Sequence, residues 1–283
     1  MAWLRRNAVV IVGGAAIAYL LIPIALIAVF SFNDPEGKFN YTWQQFSLDA
    51  WTGAFDEPAL NDALITSLQL AAASTIGATI LGTMIALALV RHEFFGRRAA
   101  NLLIVIPMAT PEVVIGAALL SLFVTYSVDL GFTTLLIAHV MFSISFVVIV
   151  VRSRLIGFDR RLEEAARDLG APAWTTFRTV TLPLISPGII GGALLAFALS
   201  IDDFVISNFN AGQTETFPLF IFGASQRGIP VQVYTLATIL FAVTVLAMLF
   251  VTWQQKRAER MAAIRDDPDD VTGLSAIAAG KGL

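Results

Sequence analysis

Cysteine is absent from all 283 residues, which removes disulfides, thiolate nucleophiles and cysteine metal sites together. Histidine occurs only as His92 and His139, in different segments, so no histidine pair stands at a metal-ligand spacing. Charge is scarce as well. Charged residues make up 14% of the chain and hydrophobic residues 57%, a balance that fits neither a soluble globular chain nor a disordered one. No Walker A sequence occurs: the stretch from Gly273 to Lys281 has the wrong spacing and no Ser or Thr after the lysine, so ATP hydrolysis by this chain is not expected. A membrane-embedded enzyme would need a nucleophile with its base, or a metal cluster, inside the apolar runs. Neither is visible, and no polar stretch is long enough to form a separate cargo-binding domain.

What is present is a series of apolar runs, each long enough to cross a hydrocarbon core of about 30 Å as a helix. They fall near Ala8 to Phe30, Ala63 to Val90, Leu102 to Tyr126, Thr134 to Val151, Leu184 to Ser207 and Val233 to Trp253. The expected fold is therefore an all-α integral membrane bundle of six transmembrane helices, one domain over residues 1–253, with a polar tail over 254–283. The tail acids Asp266, Asp267, Asp269 and Asp270 around Pro268 read as a solvated, disordered end.

Basic residues fix the orientation. With the N-terminus inside, the inner segments hold Arg5 and Arg6, then Arg91, Arg97 and Arg98, then six Arg between spans four and five, then five basic residues after Trp253. Only Lys38 and Arg227 of the 18 fall outside, so the positive-inside rule places both termini in the cytoplasm. Arg5 and Arg6 before an apolar run also resemble a secretory signal. The run is too long for one and no small-residue cleavage site follows it, so an uncleaved first span is expected.

The first outer loop, residues 33–62, interleaves acids with Tyr41, Trp43, Phe46, Trp51 and Phe55. Such aromatics suit the membrane interface, or a surface on which a soluble receptor docks. Gly13 and Gly14 in the first run, Gly77 and Gly82 in the second, and Gly188 and Gly192 in a GxxxG frame in the fifth are expected to mark close helix contacts.

Three acids lie where acids are expensive. Glu112 falls in the third run and Asp202 with Asp203 late in the fifth, although a charge near a span centre costs about 2.5 to 3.5 kcal/mol even on lenient scales. On a straight third helix Glu112 lies about 15 Å along, near mid-depth. Pro107 and Pro111 remove backbone donors just before it and are expected to break the helix there. Acids beside a broken helix point to a cation path. The structural alternative is a buried partner for each acid, with His139, Gln69, Asn208 and the loosened backbone as candidates.

Between the fourth and fifth runs, Leu162, Ala165, Ala166 and Leu169, with Phe158, recur at helical intervals and leave Arg160, Arg161, Glu163, Glu164, Arg167 and Asp168 on the other faces. Asp159 is placed to cap this short helix, Gly170 to end it in a left-handed turn, and Pro172 to open a second helix carrying Trp174 and Phe177. The order Glu164, Ala165, Ala166, three residues, Gly170, then Leu182 and Pro183 resembles the EAA loop of the permease subunits of binding-protein-dependent ABC importers. That resemblance implies a type I ABC importer permease of a bacterial cytoplasmic membrane, whose coupling-helix loop, residues 152–183, couples to an ATPase dimer through Glu163, Glu164, Ala165, Ala166, Asp168, Gly170, Leu182 and Pro183. It also implies a second, non-identical permease, an extracytoplasmic substrate-binding protein and surrounding lipid as partners. ATP and magnesium would sit on the ATPase, no cofactor on this chain, and no nucleic acid is involved.

A narrower resemblance rests on Ala198 to Ser207, which contains Asp202 and Asp203, on Gly212, Thr214, Thr216, Phe217 and Pro218, and on Pro107 to Val114. These are similar to the spermidine/putrescine permeases, which implies polyamine-like cations as cargo, with Glu112, Asp202 and Asp203 on the path. One stretch departs. Near the sixth span that family carries an acid and an amide after a Gly and a Pro, whereas here Gly228, Ile229 and Pro230 lead into Val231, Gln232 and Val233. The same machinery serving iron, thiamine or another small solute is the nearest alternative. A passive channel or assembly scaffold is the alternative from another class, for which an EAA loop has no use.

Overall fold

The structure, a computed structural model, describes residues 2–157 and 159–265. Phe158 and the tail acids Asp266, Asp267, Asp269 and Asp270 lie outside the described residues. Backbone contacts gather the chain into two compact units, residues 1–54 with 230–283 and residues 55–229, where the sequence reads as one domain.

In the first unit, a hydrogen-bonded loop joins α1 (Ala2–Phe30) to α2 (Asp49–Thr52), and α12 (Val231–Arg265) packs against both. Asn33 organises that loop: its side chain donates to Asn40 Oδ1 at 2.6 Å and to the Thr42 carbonyl at 3.0 Å, and accepts from Gln44 N at 2.7 Å. Phe32 stacks between Phe46 and Trp51. Tyr41 and Trp43 remain exposed. α12 continues to Arg265, so residues 254–265 are helical rather than part of a disordered tail.

In the second unit, α3 (Pro58–Arg91), α6 (Phe132–Ile156) and α9 (Leu182–Ile201) pack around a core of Ala78, Ala86, Leu89, Val147, Val148, Val151, Leu155, Ile185 and Ala196. Small residues permit the approach. A Cβ on Gly82 would lie 2.8 Å from Val147 Cβ and Cγ1, and one on Gly188 would lie 2.8 Å from Arg154 Cβ. The remaining elements are α4 (Arg97–Ala109), α5 (Glu112–Thr125), α7 (Arg161–Asp168), α8 (Ala173–Thr176), a π turn over Phe177–Thr181, α10 (Val205–Asn210) and α11 (Phe217–Arg227).

By length and composition, α1, α3, α6 and the continuous run Ala173–Ile201 are each able to cross a membrane, and α4 with α5 makes a fifth span if the bent pair is counted as one. The sixth expected span falls on α12, whose apolar stretch Val231–Leu246 is shorter than a full crossing among the described residues.

The break expected at Pro107 and Pro111 is present in the third span, and the fifth span is broken as well. α4 and α5 meet at 109°, because Pro111 forces the preceding Thr110 out of helical geometry, to φ −86° and ψ 134°. Pro107 lies inside α4 and does not end it, so the break belongs to Pro111 alone. The depth reckoned for Glu112 along a straight helix is therefore replaced by a position at the first residue of α5. Likewise α9 stops at Ile201, which moves Asp202 and Asp203 out of the helix and into the turn before α10.

The α3–α6 contact makes a direct forecast. Because Val147 is fully buried, Gly82→Leu forces atoms into an occupied position and costs about 1 to 3 kcal/mol. Thermal unfolding of the purified protein in detergent should show a lowered midpoint, partly restored by Val147→Ala.

Candidate functional site

The turn between α9 and α10 is built around one carboxylate. Asp203 is buried and accepts hydrogen bonds from Ile206 N at 3.3 Å, Ser207 N at 2.8 Å and Ser207 Oγ at 3.1 Å. These are the donors that a helix start leaves without partners. The charge thus holds the broken backbone, and the broken backbone holds the charge.

His139 of α6 extends the arrangement into the core. Its ring lies 2.7 Å from Ser200 Oγ through Nδ1, and 3.0 Å from Ser207 Oγ and 3.5 Å from Asp203 Oδ2 through Nε2. Ser74 Oγ of α3 donates to Ser200 Oγ at 2.9 Å. Each hydroxyl has one proton to give. Ser74 gives its own to Ser200, Ser200 to His139 Nδ1, the Nε2 proton goes to Ser207, and Ser207 donates to Asp203. A neutral imidazole protonated on Nε2 satisfies every link, and the chain ties α3, α6, α9 and α10 together. The sequence offers His139 as a candidate partner of the acids, whereas the three serines carry no signal, since each looks like an ordinary small residue in an apolar helix.

Glu112 opens α5 beside this turn. α5 packs on α10, with Gly116 against the Phe209 ring and Asn210 Nδ2 donating to the Gly116 carbonyl at 3.3 Å. The charges of Asp203 and Asp202 act on Glu112, so the start of α5 lies near the turn that precedes α10. A helix N-terminus favours an anion, which offsets part of the cost of these carboxylates. Glu112 and Asp202 are exposed, whereas Asp203 is enclosed. Sequence reading placed the three acids on two spans, and the structure brings them together with unequal roles. Among the described residues no three His, Cys, Asp or Glu side chains form a group suited to one metal ion. The cluster is suited to a positively charged group that keeps its own hydrogen-bond donors, such as an ammonium.

The second feature is the knob between α6 and α9. Asp159 Oδ1 accepts from Arg161 N at 3.0 Å at the start of α7, and Gly170 ends the turn after it at φ +86°, a conformation that favours glycine. Trp174 stacks on Phe177 with ring centroids 5.6 Å apart. Leu162 and Leu169 of the amphipathic face are 49% and 90% exposed, and Trp174 is 69% exposed. Glu164, Ala165, Asp168 and Gly170 are exposed with them, and Ala166 partly so. Leu182 and Pro183 open α9.

Glu163 is the exception. Expected on the outward charged face, it is 7% exposed and joined to Arg91 at the end of α3 by a two-pronged ion pair, with Arg91 Nη2 2.5 Å from Oε1 and Nη1 bonded to Oε2. Thr181 Oγ1, in the π turn, donates to the same carboxylate. The partner Arg91 lies 72 residues away, which is why periodicity alone could not turn Glu163 inward. Burial by itself pushes the Glu163 carboxyl up, but the hydrogen bonds from Arg91 and Thr181 and the Arg91 and Arg167 charges outweigh it and hold it below the usual value. Beside this strut, Glu164, His92, Arg160 and Arg167 line a cavity of about 530 Å³.

Residues 78–260 match the family described as the binding-protein-dependent transport system inner membrane component. The chain is 39% identical over 228 residues, 80% of its own length and 88% of the relative's, to the spermidine/putrescine transport system permease protein PotC of Haemophilus influenzae. It is 36% identical over 256 residues, 88% of this chain and 90% of the relative, to the putrescine transport system permease protein PotI of Escherichia coli. Among solved structures, a chain of a bacterial ABC transporter that imports the acidic polysaccharide alginate superposes with a TM-score of 0.64 at 17% identity, covering 90% of this chain and 98% of that one. A chain of the bacterial alginate transporter bound to its periplasmic protein superposes with a TM-score of 0.65, again at 17% identity, covering 90% and 96%. The fold is that of type I ABC transporter permeases.

The buried strut yields a stability forecast. Breaking a buried pair by removing one partner costs on the order of 3 kcal/mol, so Glu163→Ala should lower the thermal midpoint clearly, and Glu163→Gln less. Because the folded carboxyl titrates below its unfolded value, the contribution is complete above about pH 4.3 and is lost as pH falls through the lower folded value. Thermal scans of wild type and Glu163→Ala should therefore keep a constant gap near neutral pH and converge only in acid.

Proposed function

Since the chain belongs to the family of binding-protein-dependent transport system inner membrane components, we propose that it is one of two unlike permease subunits of an ATP-driven importer and that its cargo is a polyamine-like cation. The observation that carries the cargo reading is the convergence of Glu112, Asp202 and Asp203 where α5 and α10 begin. Similarity to the PotC and PotI permeases supports it further. Exposed Glu112 and Asp202 offer negative charge to a passing ammonium, while Asp203, held by Ile206, Ser207 and His139, keeps the turn in place.

The knob supplies the mechanical link. Leu162, Leu169 and Trp174 are presented outward on a short helix pair, a shape and chemistry that fit an apolar groove on an ATPase dimer, where ATP and magnesium would bind. With both termini and the knob in the cytoplasm, closure of the ATPase pair pulls on α7. Glu163 passes that displacement to Arg91 on α3 and, through Thr181, to the start of α9. Those two helices also carry Ser74 and Ser200, which end the hydrogen-bonded chain from Asp203. A two-state element thus connects the knob to the acids, and ATP biases it by binding one state better than the other. On the outer side a substrate-binding protein delivers the cation.

The assembled complex, reconstituted with its binding protein and ATPase, tests both parts. Asp202→Asn and Glu112→Gln should each reduce labelled spermidine or putrescine uptake by about tenfold, the effect of losing about 1.4 kcal/mol of attraction, with complex yield unchanged. Asp203→Asn should lower yield and uptake together, since it removes a structural acceptor. Leu169→Glu, on a side chain exposed in the isolated chain, should abolish receptor-stimulated ATPase activity while leaving this subunit's own thermal midpoint in place. Wild-type uptake in both Asp202→Asn and Glu112→Gln would remove the cation path, and wild-type stimulation in Leu169→Glu would remove the docking face.

A further inference from the structure

At the same end of the second unit as the knob, three arginines from three separate segments converge on one interhelical cavity of about 310 Å³. Arg97 comes from the start of α4, Arg152 from the last turns of α6 and Arg160 from the segment before α7. Leu89 and Leu155, both buried, form its floor, and Ile156 stands 66% exposed at its rim.

Among the described residues no carboxylate lines this cavity. Arg152 Nη1 donates to neutral Asn101 Oδ1 at 2.6 Å, and Arg160 Nη2 to the Val90 carbonyl at 3.4 Å. Arg97 meets Glu93 only at 3.8 Å, across a side chain that is 97% exposed. Three positive charges thus face one space with no carboxylate in its described lining, although guanidinium groups pair readily with carboxylate or phosphate; Arg160 also borders the neighbouring cavity of Glu163 and Glu164, whereas Arg97 and Arg152 do not. Arg97 is shared with an adjoining cavity lined by Arg98 and Phe94. Phe94 and Phe95, on the link between α3 and α4, are both exposed.

The geometry points to a binding site for an anionic phospholipid, its phosphate on Arg97, Arg152 and Arg160 and its acyl chains running past Ile156 and the exposed phenylalanines. A soluble phosphate or a partner's carboxylate would use the arginines and leave the apolar floor and rim idle. A lipid uses both. Basic pockets between spans at the membrane surface have this combination of charge and apolar wall, and aromatic side chains at the interface mark headgroup depth. The inference requires only that these helices lie in a bilayer, so a failure of the transport reading, seen as absent polyamine uptake, leaves lipid retention to be judged separately.

The test is native mass spectrometry of the complete complex after extraction from bilayers of equal phosphatidylglycerol and phosphatidylcholine. Wild type should retain phosphatidylglycerol selectively. Arg152→Gln combined with Arg160→Gln should weaken that retention about twenty-five-fold, at about fivefold for each basic residue near an anionic surface. Arg97→Gln, which alters a single partly exposed side chain, should weaken it about fivefold and guards against misfolding of the double variant. Lys38→Gln, on the first outer loop, should change nothing, and excess inorganic phosphate should not displace the lipid. Equal retention of both lipids, undiminished selectivity in the arginine variants, or displacement by inorganic phosphate would each overturn the assignment.

Discussion

A polypeptide in hydrocarbon must satisfy its own backbone, and a charge there must be given hydrogen bonds or stay near water. The turn between α9 and α10 answers both demands with one group. Asp203 takes the amides that the new helix leaves open, and those amides, with Ser207 Oγ, solvate its carboxylate. Remove the acid and the break has unsatisfied donors; close the break into a continuous helix and the acid loses its donors. The placement of Asp202, the start of α10, the packing of α5 against it and the position of Glu112 follow from this reciprocal arrangement. The same logic recurs at the knob, where Glu163 is tolerated in a buried position because Arg91 and Thr181 supply its partners.

These two buried carboxylates divide the acids of the chain into two kinds. Asp203 and Glu163 are buried and hydrogen-bonded, while Glu112, Asp202 and Glu164 are exposed. Glu163 and Glu164 are adjacent in sequence, as are Asp202 and Asp203, so in each pair one residue anchors the segment from which the other projects. The α3–α6–α9 core, close-packed through Gly82 and Gly188, lies between the two anchors and carries Arg91, His139, Ser74 and Ser200 on its helices. In the proposed cycle a displacement at the knob meets this close-packed core, through which it would reach the acids.

Much of this was legible in the sequence. Apolar length located α1, α3, α6 and α9, the Gly170 turn and the short amphipathic helix were read from spacing, and the cost of intramembrane charge singled out Glu112, Asp202 and Asp203. The losses share a physical cause. The break before Glu112 was legible from Pro107 and Pro111, but helices that are apolar on every face carry no periodic signal of which side is buried, so neither the size of the bend, 109°, nor the end of α9 at Ile201 was visible. Pro107 and Pro111 look alike in sequence, yet only the second breaks the helix. Long-range partners were equally hidden. Glu163 turns inward because Arg91, on another span, waits for it, and the serines around His139 acquire meaning only when α3, α6, α9 and α10 are assembled.

The central claim is that the acids and the knob belong to one transport cycle, with a polyammonium held by the exposed pair. The most direct measurement is a cryo-electron microscopy structure of the assembled complex with spermidine and its ATPase arrested with a non-hydrolysable nucleotide. The account predicts amine density within hydrogen-bonding distance of Glu112 and Asp202, with Asp203 still bonded to Ser207 and with Leu162 and Leu169 buried against the ATPase. Amine density elsewhere along the subunits, or a knob left in solvent with the ATPase bound, would contradict it.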